Sequence, residues 1–304
     1  MKRFDYHLLE KLGEGGYGSV WSAIDSAGRR CALKFLLDVS PTFVESLRDE
    51  VSKLVRLHGT PGIVKILDYD LESPRPYVAL ELADGSLADL VQGPLDQTAA
   101  VRFGVQVARV VRAAHQRGVV HRDIKPENIL LRDGSIRLAD FGLGKGFESM
   151  LLTMGGAGTP GYMAPEQKIG AAGTEADVYG LGATLFHMLT GLRPRDDRDS
   201  LDPRRHGAKC NGRLAELVAD MTSADPAERP TTDEVIAVLT EVLKAVRPSR
   251  QVASRSPAGA AAGGVLAALA VVGGAWALTT MNRYDRNVGR YRASDGTFRP
   301  SRWG

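Results

Sequence analysis

Three short stretches of this sequence combine residue types that handle phosphate and hard cations. In Gly13-Glu14-Gly15-Gly16-Tyr17-Gly18-Ser19-Val20, the glycines let backbone approach an anion closely and present N–H groups to it. In His121-Arg122-Asp123-Ile124-Lys125-Pro126-Glu127-Asn128, a loop-borne Asp123 can accept a hydrogen bond from a hydroxyl and orient it. Lys125 can steady a neighbouring charge, and Asn128 offers an amide oxygen. Asp140, in Asp140-Phe141-Gly142, adds a carboxylate; with Asn128 it forms an oxygen pair suited to a hard divalent cation that keeps sites for other ligands. Lys34, in Cys31-Ala32-Leu33-Lys34, supplies a positive charge for phosphate oxygens. Together these are parts for phosphoryl transfer. The glycine run alone is weak, since it also opens dinucleotide-binding folds. Those place a helix directly after the glycines, whereas residues 19 to 24 read as strand.

The elements that must position these groups change character along the chain. Apolar runs at 6 to 12 and 18 to 24, joined by the glycines, predict two strands, and 30 to 36 a third. Pro41 opens a stretch with Phe43, Leu47, Val51, Leu54 and Leu57 at helical spacing. Strands follow at 63 to 68 and 76 to 82. Beyond Gly85 the spacing predicts helices at 87 to 91, 99 to 115, 176 to 190, 214 to 222 and 232 to 246, with a hairpin at 129 to 139 turning on Arg-Asp-Gly. The expected fold class is α+β: a small β-rich N-lobe (6 to 83), a larger helical C-lobe (84 to 243), and a cleft between them.

The motifs, in this order, resemble those of bacterial eukaryotic-like (Hanks-type) serine/threonine protein kinases over residues 6 to 243. That resemblance implies a bilobal protein-kinase fold that transfers the ATP γ-phosphoryl group to serine or threonine hydroxyls, with Mg²⁺ as the metal and Mn²⁺ a possible substitute. It assigns Asp123 the catalytic role of accepting a hydrogen bond from the substrate hydroxyl and orienting it in line with the γ-phosphate, Lys125 that of steadying the moving phosphoryl, and Lys34 that of pairing the α- and β-phosphates. Glu50, 16 residues on in the first helix, would hold Lys34, being selected over Glu45 and Asp49 by Leu54, Leu57 and His58-Gly59. Asn128 and Asp140 become the metal ligands. Gly13, Gly15, Gly16 and Gly18 cover the phosphates. Leu12, Val20, Ala32 and Leu130 line the adenine pocket behind a gatekeeper Leu80, with backbone groups of Glu81 and Ala83 at the hinge. Lys125-Pro126-Glu127 is similar to serine/threonine rather than tyrosine kinases. The rival reading, a nucleotide-binding pseudokinase scaffold, normally lacks equivalents of Lys34, Asp123 or Asp140, and all three are present.

The resemblance also implies structural and regulatory roles. Phe141 packs beneath the Glu50 helix, Glu166 pairs with Arg229, Asp177 holds the backbone of the Asp123 loop, and His121 is a packing residue. Arg122 marks kinases switched on by loop phosphorylation, for which Ser149, Thr153 and Thr159 are the hydroxyls. Thr153 is the first choice, and Thr159 is better suited to substrate recognition.

Residues 1 to 243 carry a net charge of −5 and residues 244 to 304 a net of +8, so the basic character belongs to the tail and no nucleic-acid partner is expected. Cys31 and Cys210 form no CxxC arrangement, and no signal peptide is read at the N-terminus. After a basic linker at 244 to 257, residues 258 to 281 contain no charge and suffice to cross a bilayer as a helix. A flexible Ala/Gly-rich linker is the competing reading. The expectation is a single-pass protein of the cytoplasmic membrane with its kinase domain in the cytoplasm. A short basic tail at 282 to 304 would be too small to bury a core, with lipid contact or self-association through the span as partners.

Overall fold

Strands β1 (Tyr6–Gly15), β2 (Gly18–Asp25) and β3 (Arg30–Leu36) form an antiparallel meander in a computed structural model. It describes residues 4–15, 18–36, 39–141, 161–195 and 201–245, and the backbone of 284–285, 290–292 and 298–299. Helix α1 (Pro41–Arg56) follows, then β4 (Ile66–Asp70) and β5 (Tyr77–Glu81), giving a five-stranded sheet in the order β1-β2-β3-β5-β4. Helix α1 starts at a proline whose missing N–H costs nothing in a first turn. It buries Leu47, Glu50, Val51 and Leu54, so one carboxylate lies on its apolar face. Burying a charge is costly unless it is paired, which makes Glu50 conspicuous before any partner is known.

The sheet has two apolar faces. Alternation sends Lys34 to one side while Cys31, Leu33 and Phe35 pack with Ala23, Tyr77 and Ala79 on the other, under Tyr6, Leu8 and Trp21. The strand expected at 63 to 68 begins only at Ile66. Ile63 instead bridges to Leu138, and the Val64 N–H donates to the Leu138 carbonyl, so this stretch is recruited by the second lobe.

That lobe opens with β6 (Gly85–Ser86), α2 (Leu87–Leu90) and α3 (Gln97–His115). Asp96 caps α3 by accepting from the Thr98 and Ala99 N–H groups. The hairpin β7 (Ile129–Arg132) and β8 (Ser135–Leu138) turns on Asp133 and Gly134, both at positive φ, as a two-residue primed turn requires. Helix α4 (Thr174–Thr190) is apolar nearly all round and buried throughout its middle, as befits a central helix. At Gly180 an added Cβ would lie 2.9 Å from the Ile124 carbonyl, so α4 directly supports the loop carrying Asp123. Helices α5 (Gly212–Met221) and α6 (Thr232–Ala245) complete the lobe, α6 packing on α3. Short 3-10 turns at 126–128, 165–169, 203–206 and 226–228 each begin with proline.

Residues 249–304 form a separate unit. Within it β9 (Tyr284–Asp285), β10 (Arg290–Arg292) and β11 (Phe298–Arg299) make a small antiparallel sheet with β10 central. Among the described residues no helix is long and apolar enough to cross a membrane. The expected span at 258 to 281 lies outside them, as do Gly16, Ser149, Thr153 and Thr159.

Candidate active site

Lys34 projects from β3, and Glu50 from α1 meets it with both carboxylate oxygens, at 3.0 and 2.8 Å from Nζ. The same ammonium lies 2.6 Å from Asp140 Oδ1, just past β8. Sheet, helix and hairpin thus meet at one nitrogen. Burial works against the Lys34 charge, but Asp140 and Glu50 reverse it and hold the group above the ordinary lysine value. Burial likewise raises Glu50, with Lys34 opposing it. Asp140 is held below the usual carboxylate range, chiefly by the Lys34 charge.

The Asp123 loop is fixed from below and behind. Asp177, at the start of α4, accepts the His121 N–H at 2.9 Å and the Arg122 N–H at 2.6 Å, while His115 Nε2 sits 2.7 Å from its Oδ2. His121 is buried, accepting from the Asp123 N–H at Nδ1 (3.1 Å) and donating from Nε2 to the Ala139 carbonyl (2.8 Å). One nitrogen accepts and the other donates, so the ring is the neutral tautomer, in keeping with a pKa lowered by burial. Its ring packs 4.4 Å from that of Phe141, which is fully buried.

Within the loop, Asn128 Nδ2 donates to the Asp123 carbonyl and to Asp123 Oδ2, both at 2.8 Å, and Lys125 Nζ lies 2.8 Å from the same Oδ2. The Asn128 amide nitrogen is thereby occupied and its oxygen is the acceptor turned elsewhere. The donor set fits a hard cation: that amide oxygen with the carboxylate of Asp140. Gly13 has open space where a side chain would stand, as a phosphate cradle needs, whereas Gly18 is required by its own neighbour, since a Cβ there would strike the Phe35 carbonyl. Of the residues expected around adenine, Ala32 and Leu80 are buried, Val20 and Leu130 partly so, and Leu12 is half exposed.

A family profile described as the protein kinase domain matches residues 6–255. This chain belongs to the protein kinase family. Serine/threonine-protein kinase Pkn1 of Myxococcus xanthus is 37% identical over 252 residues, covering 78% of this chain and 34% of the relative. Serine/threonine-protein kinase PknK of Mycobacterium tuberculosis is 36% identical over 250 residues, 74% of this chain and 22% of its own. Serine/threonine-protein kinase PknA of the same species is 36% identical over 205 residues, 62% and 47%. The chain spans less than half the length of each. Kinase membership implies the use of ATP and a divalent metal.

Several residues that organise this kinase escaped the sequence reading. Glu81 was expected to act through its backbone, yet its carboxylate is buried. It accepts from the Lys65 N–H (2.9 Å) and Arg132 (3.1 Å) and forms an ion pair with Arg137 at 3.3 Å, fastening the hinge to the β7–β8 hairpin. Gln167 donates to the Arg122 carbonyl and accepts from the Ala164 N–H. Lys53 donates to the Phe141 carbonyl at 2.9 Å. None has a local sequence signal.

Beside the loop, Tyr162 O–H lies 2.6 Å from His187 Nδ1, and burial holds His187 below its ordinary value, helped by Arg193 and opposed by Glu127. A histidine kept neutral by the fold adds stability above its unfolded pKa of about 6.5, and that contribution is lost as pH falls toward the depressed folded value. Urea unfolding between pH 7.5 and 5.5 should therefore show a steeper loss in the wild type than in His187→Gln; equal slopes would contradict the assignment.

Proposed function

We propose that the chain is an ATP-dependent serine/threonine protein kinase with Mg²⁺ as its working metal. The observation that carries this is the joint placement of Lys34 against Glu50 and Asp140, and of Asp123 against Lys125 and Asn128, on two facing lobes. The Asn128 and Lys125 contacts to the Asp123 carboxylate both fall on Oδ2, which leaves Oδ1 available to a substrate hydroxyl. That oxygen orients the hydroxyl in line with the γ-phosphorus and takes its proton as the new bond forms. Lys125 lies where negative charge moves between nucleotide and acceptor, and Lys34, held upright by Glu50, orients the α- and β-phosphates. Asn128 Oδ1 and Asp140 would hold Mg²⁺, which when bound neutralises phosphate charge.

Loop phosphorylation is part of the same reading. Arg122 is held at positive φ; among the described residues its side chain reaches only the Ala172 carbonyl at 3.5 Å and its buried Nε has no partner. A phosphate on Thr153 or a neighbour would supply acceptors. The charge-free stretch at 258 to 281 supports a membrane anchor with the kinase domain on the ATP side, allowing lipid contact by the basic flanks and self-association in the membrane.

Matched peptides carrying serine, threonine or tyrosine at one position, given to the full chain with ATP and Mg²⁺, test the acceptor class. The expected result is transfer to serine and threonine at least about 100-fold faster than to tyrosine, a difference of about 2.7 kcal/mol in barrier. Preferential tyrosine labelling would contradict the reading.

A further inference from the structure

Residues 139 to 141 are held at three successive points, and the third holder, Lys53, has as yet no role in the phosphate chemistry. The Ala139 carbonyl accepts from His121 Nε2, the Asp140 carboxylate meets Lys34, and the Phe141 carbonyl accepts from Lys53 Nζ at 2.9 Å. Lys53 lies one turn beyond Glu50 on α1, so the two side chains share a helix face. Its side chain is 15% exposed, and Asp49 Oδ2, one turn earlier, steadies the ammonium at 2.7 Å. Its positive charge also favours the ionised form of the buried Glu50 carboxylate, though less than that of Lys34.

Asp140 gives this contact its importance. Its φ is +61°, in the left-handed region that costs a non-glycine residue about 1 kcal/mol or more. Such a backbone persists only where its surroundings over-determine it. The Asp140 side chain is half exposed, and among the described residues its carboxylate is anchored by the Lys34 ammonium, the same group that must turn toward phosphates when nucleotide arrives. As Lys34 is shared with nucleotide, the main-chain holders on either side keep Asp140 in place.

We infer that Lys53 is a positioning residue which, by donating to the Phe141 carbonyl, locks Asp140 in its metal-binding conformation and couples that conformation to the placement of α1. This rests on the kinase reading of Asp140 as a metal ligand. Lys53 touches no reacting atom. Its loss should act through the metal, leaving metal-free nucleotide binding alone. Glu50 loss, by contrast, would release Lys34 and disturb phosphate binding directly.

The test compares the full chain with Lys53→Met, which keeps the aliphatic stem and removes the donor, and Lys53→Arg, which restores one. Binding of a fluorescent ADP analogue is titrated with Mg²⁺ and with EDTA, and phosphoryl transfer is measured across Mg²⁺ concentrations. Lys53→Met should raise the half-saturating Mg²⁺ concentration in both readouts by about tenfold, the size of one net hydrogen bond, with EDTA-state affinity unchanged. Lys53→Arg should recover most of that shift. Unchanged Mg²⁺ dependence in Lys53→Met would overturn the inference, as would equal weakening with and without Mg²⁺. If the wild type bound Mg²⁺-nucleotide without transferring phosphate, the proposed function would fail while the binding arm still decided the role of Lys53.

Discussion

Asp123→Asn should lower the turnover number by about 10²–10⁴-fold, the range for loss of a positioned general base, while nucleotide affinity stays within about twofold. The structure explains why so small a change is so costly. Oδ2 accepts from both Asn128 and Lys125, so the replacement amide places its oxygen there and turns its NH₂ toward the substrate. A donor then faces the hydroxyl where an acceptor is needed. Backbone support from Asp177 and His121 is untouched, which is why the fold and the nucleotide side should survive. Steady-state kinetics with a fluorescent-nucleotide binding control checks this; parallel losses in affinity and turnover would show that Asp123 acts mainly as scaffold.

Arg229→Ala should destabilise the second lobe by about 3–5 kcal/mol, the cost of stranding a buried charge. The Arg229 side chain is fully buried and its guanidinium donates to both Glu166 oxygens, at 2.6 and 2.8 Å. It donates further to the Ser223 carbonyl at 2.9 Å and the Glu175 carbonyl at 3.0 Å, and lies over the Tyr179 ring. One planar fork thereby joins the segment before α4, the start of α4 and the turn before α6. Alanine leaves the Glu166 carboxylate and two carbonyls without their donors. Arg229→Lys keeps the charge but cannot satisfy these acceptors together, so it should recover only part of the loss. Urea unfolding followed by circular dichroism measures both. A loss below about 1 kcal/mol in Arg229→Ala would place the pair with ordinary surface bridges.

The sequence made the motif-bearing residues legible because each motif is short and its order along the chain is informative. Lys34 with Glu50, Asp177 under the Asp123 loop, and Glu166 with Arg229 are all in contact. The element types followed from periodicity, including the turn at Asp133 and Gly134. What escaped was contact between side chains and distant backbone. Lys53 and Phe141 are 88 residues apart, and Glu81 and Arg132 are 51, so neither pairing leaves a mark in any local window. The start of β4 was misplaced for the same reason: Ile63 and Val64 are β-branched and read as a continuation of the apolar run, but their partner is Leu138 in the other lobe. In the tail, strands of two and three residues are too short to give a periodic signal.

The central claim is phosphoryl transfer to a protein hydroxyl, and the most direct test is a balance sheet for the γ-phosphoryl group. The full chain is incubated with γ-labelled ATP, Mg²⁺ and a protein substrate, and ADP, free phosphate and phosphorylated residues are quantified together. The account predicts ADP matched by phosphate on serine and threonine side chains, with both formed at least about 100-fold more slowly in Asp123→Asn. Tight Mg²⁺-nucleotide binding without transfer, or ADP matched by free phosphate with none on protein, would contradict it.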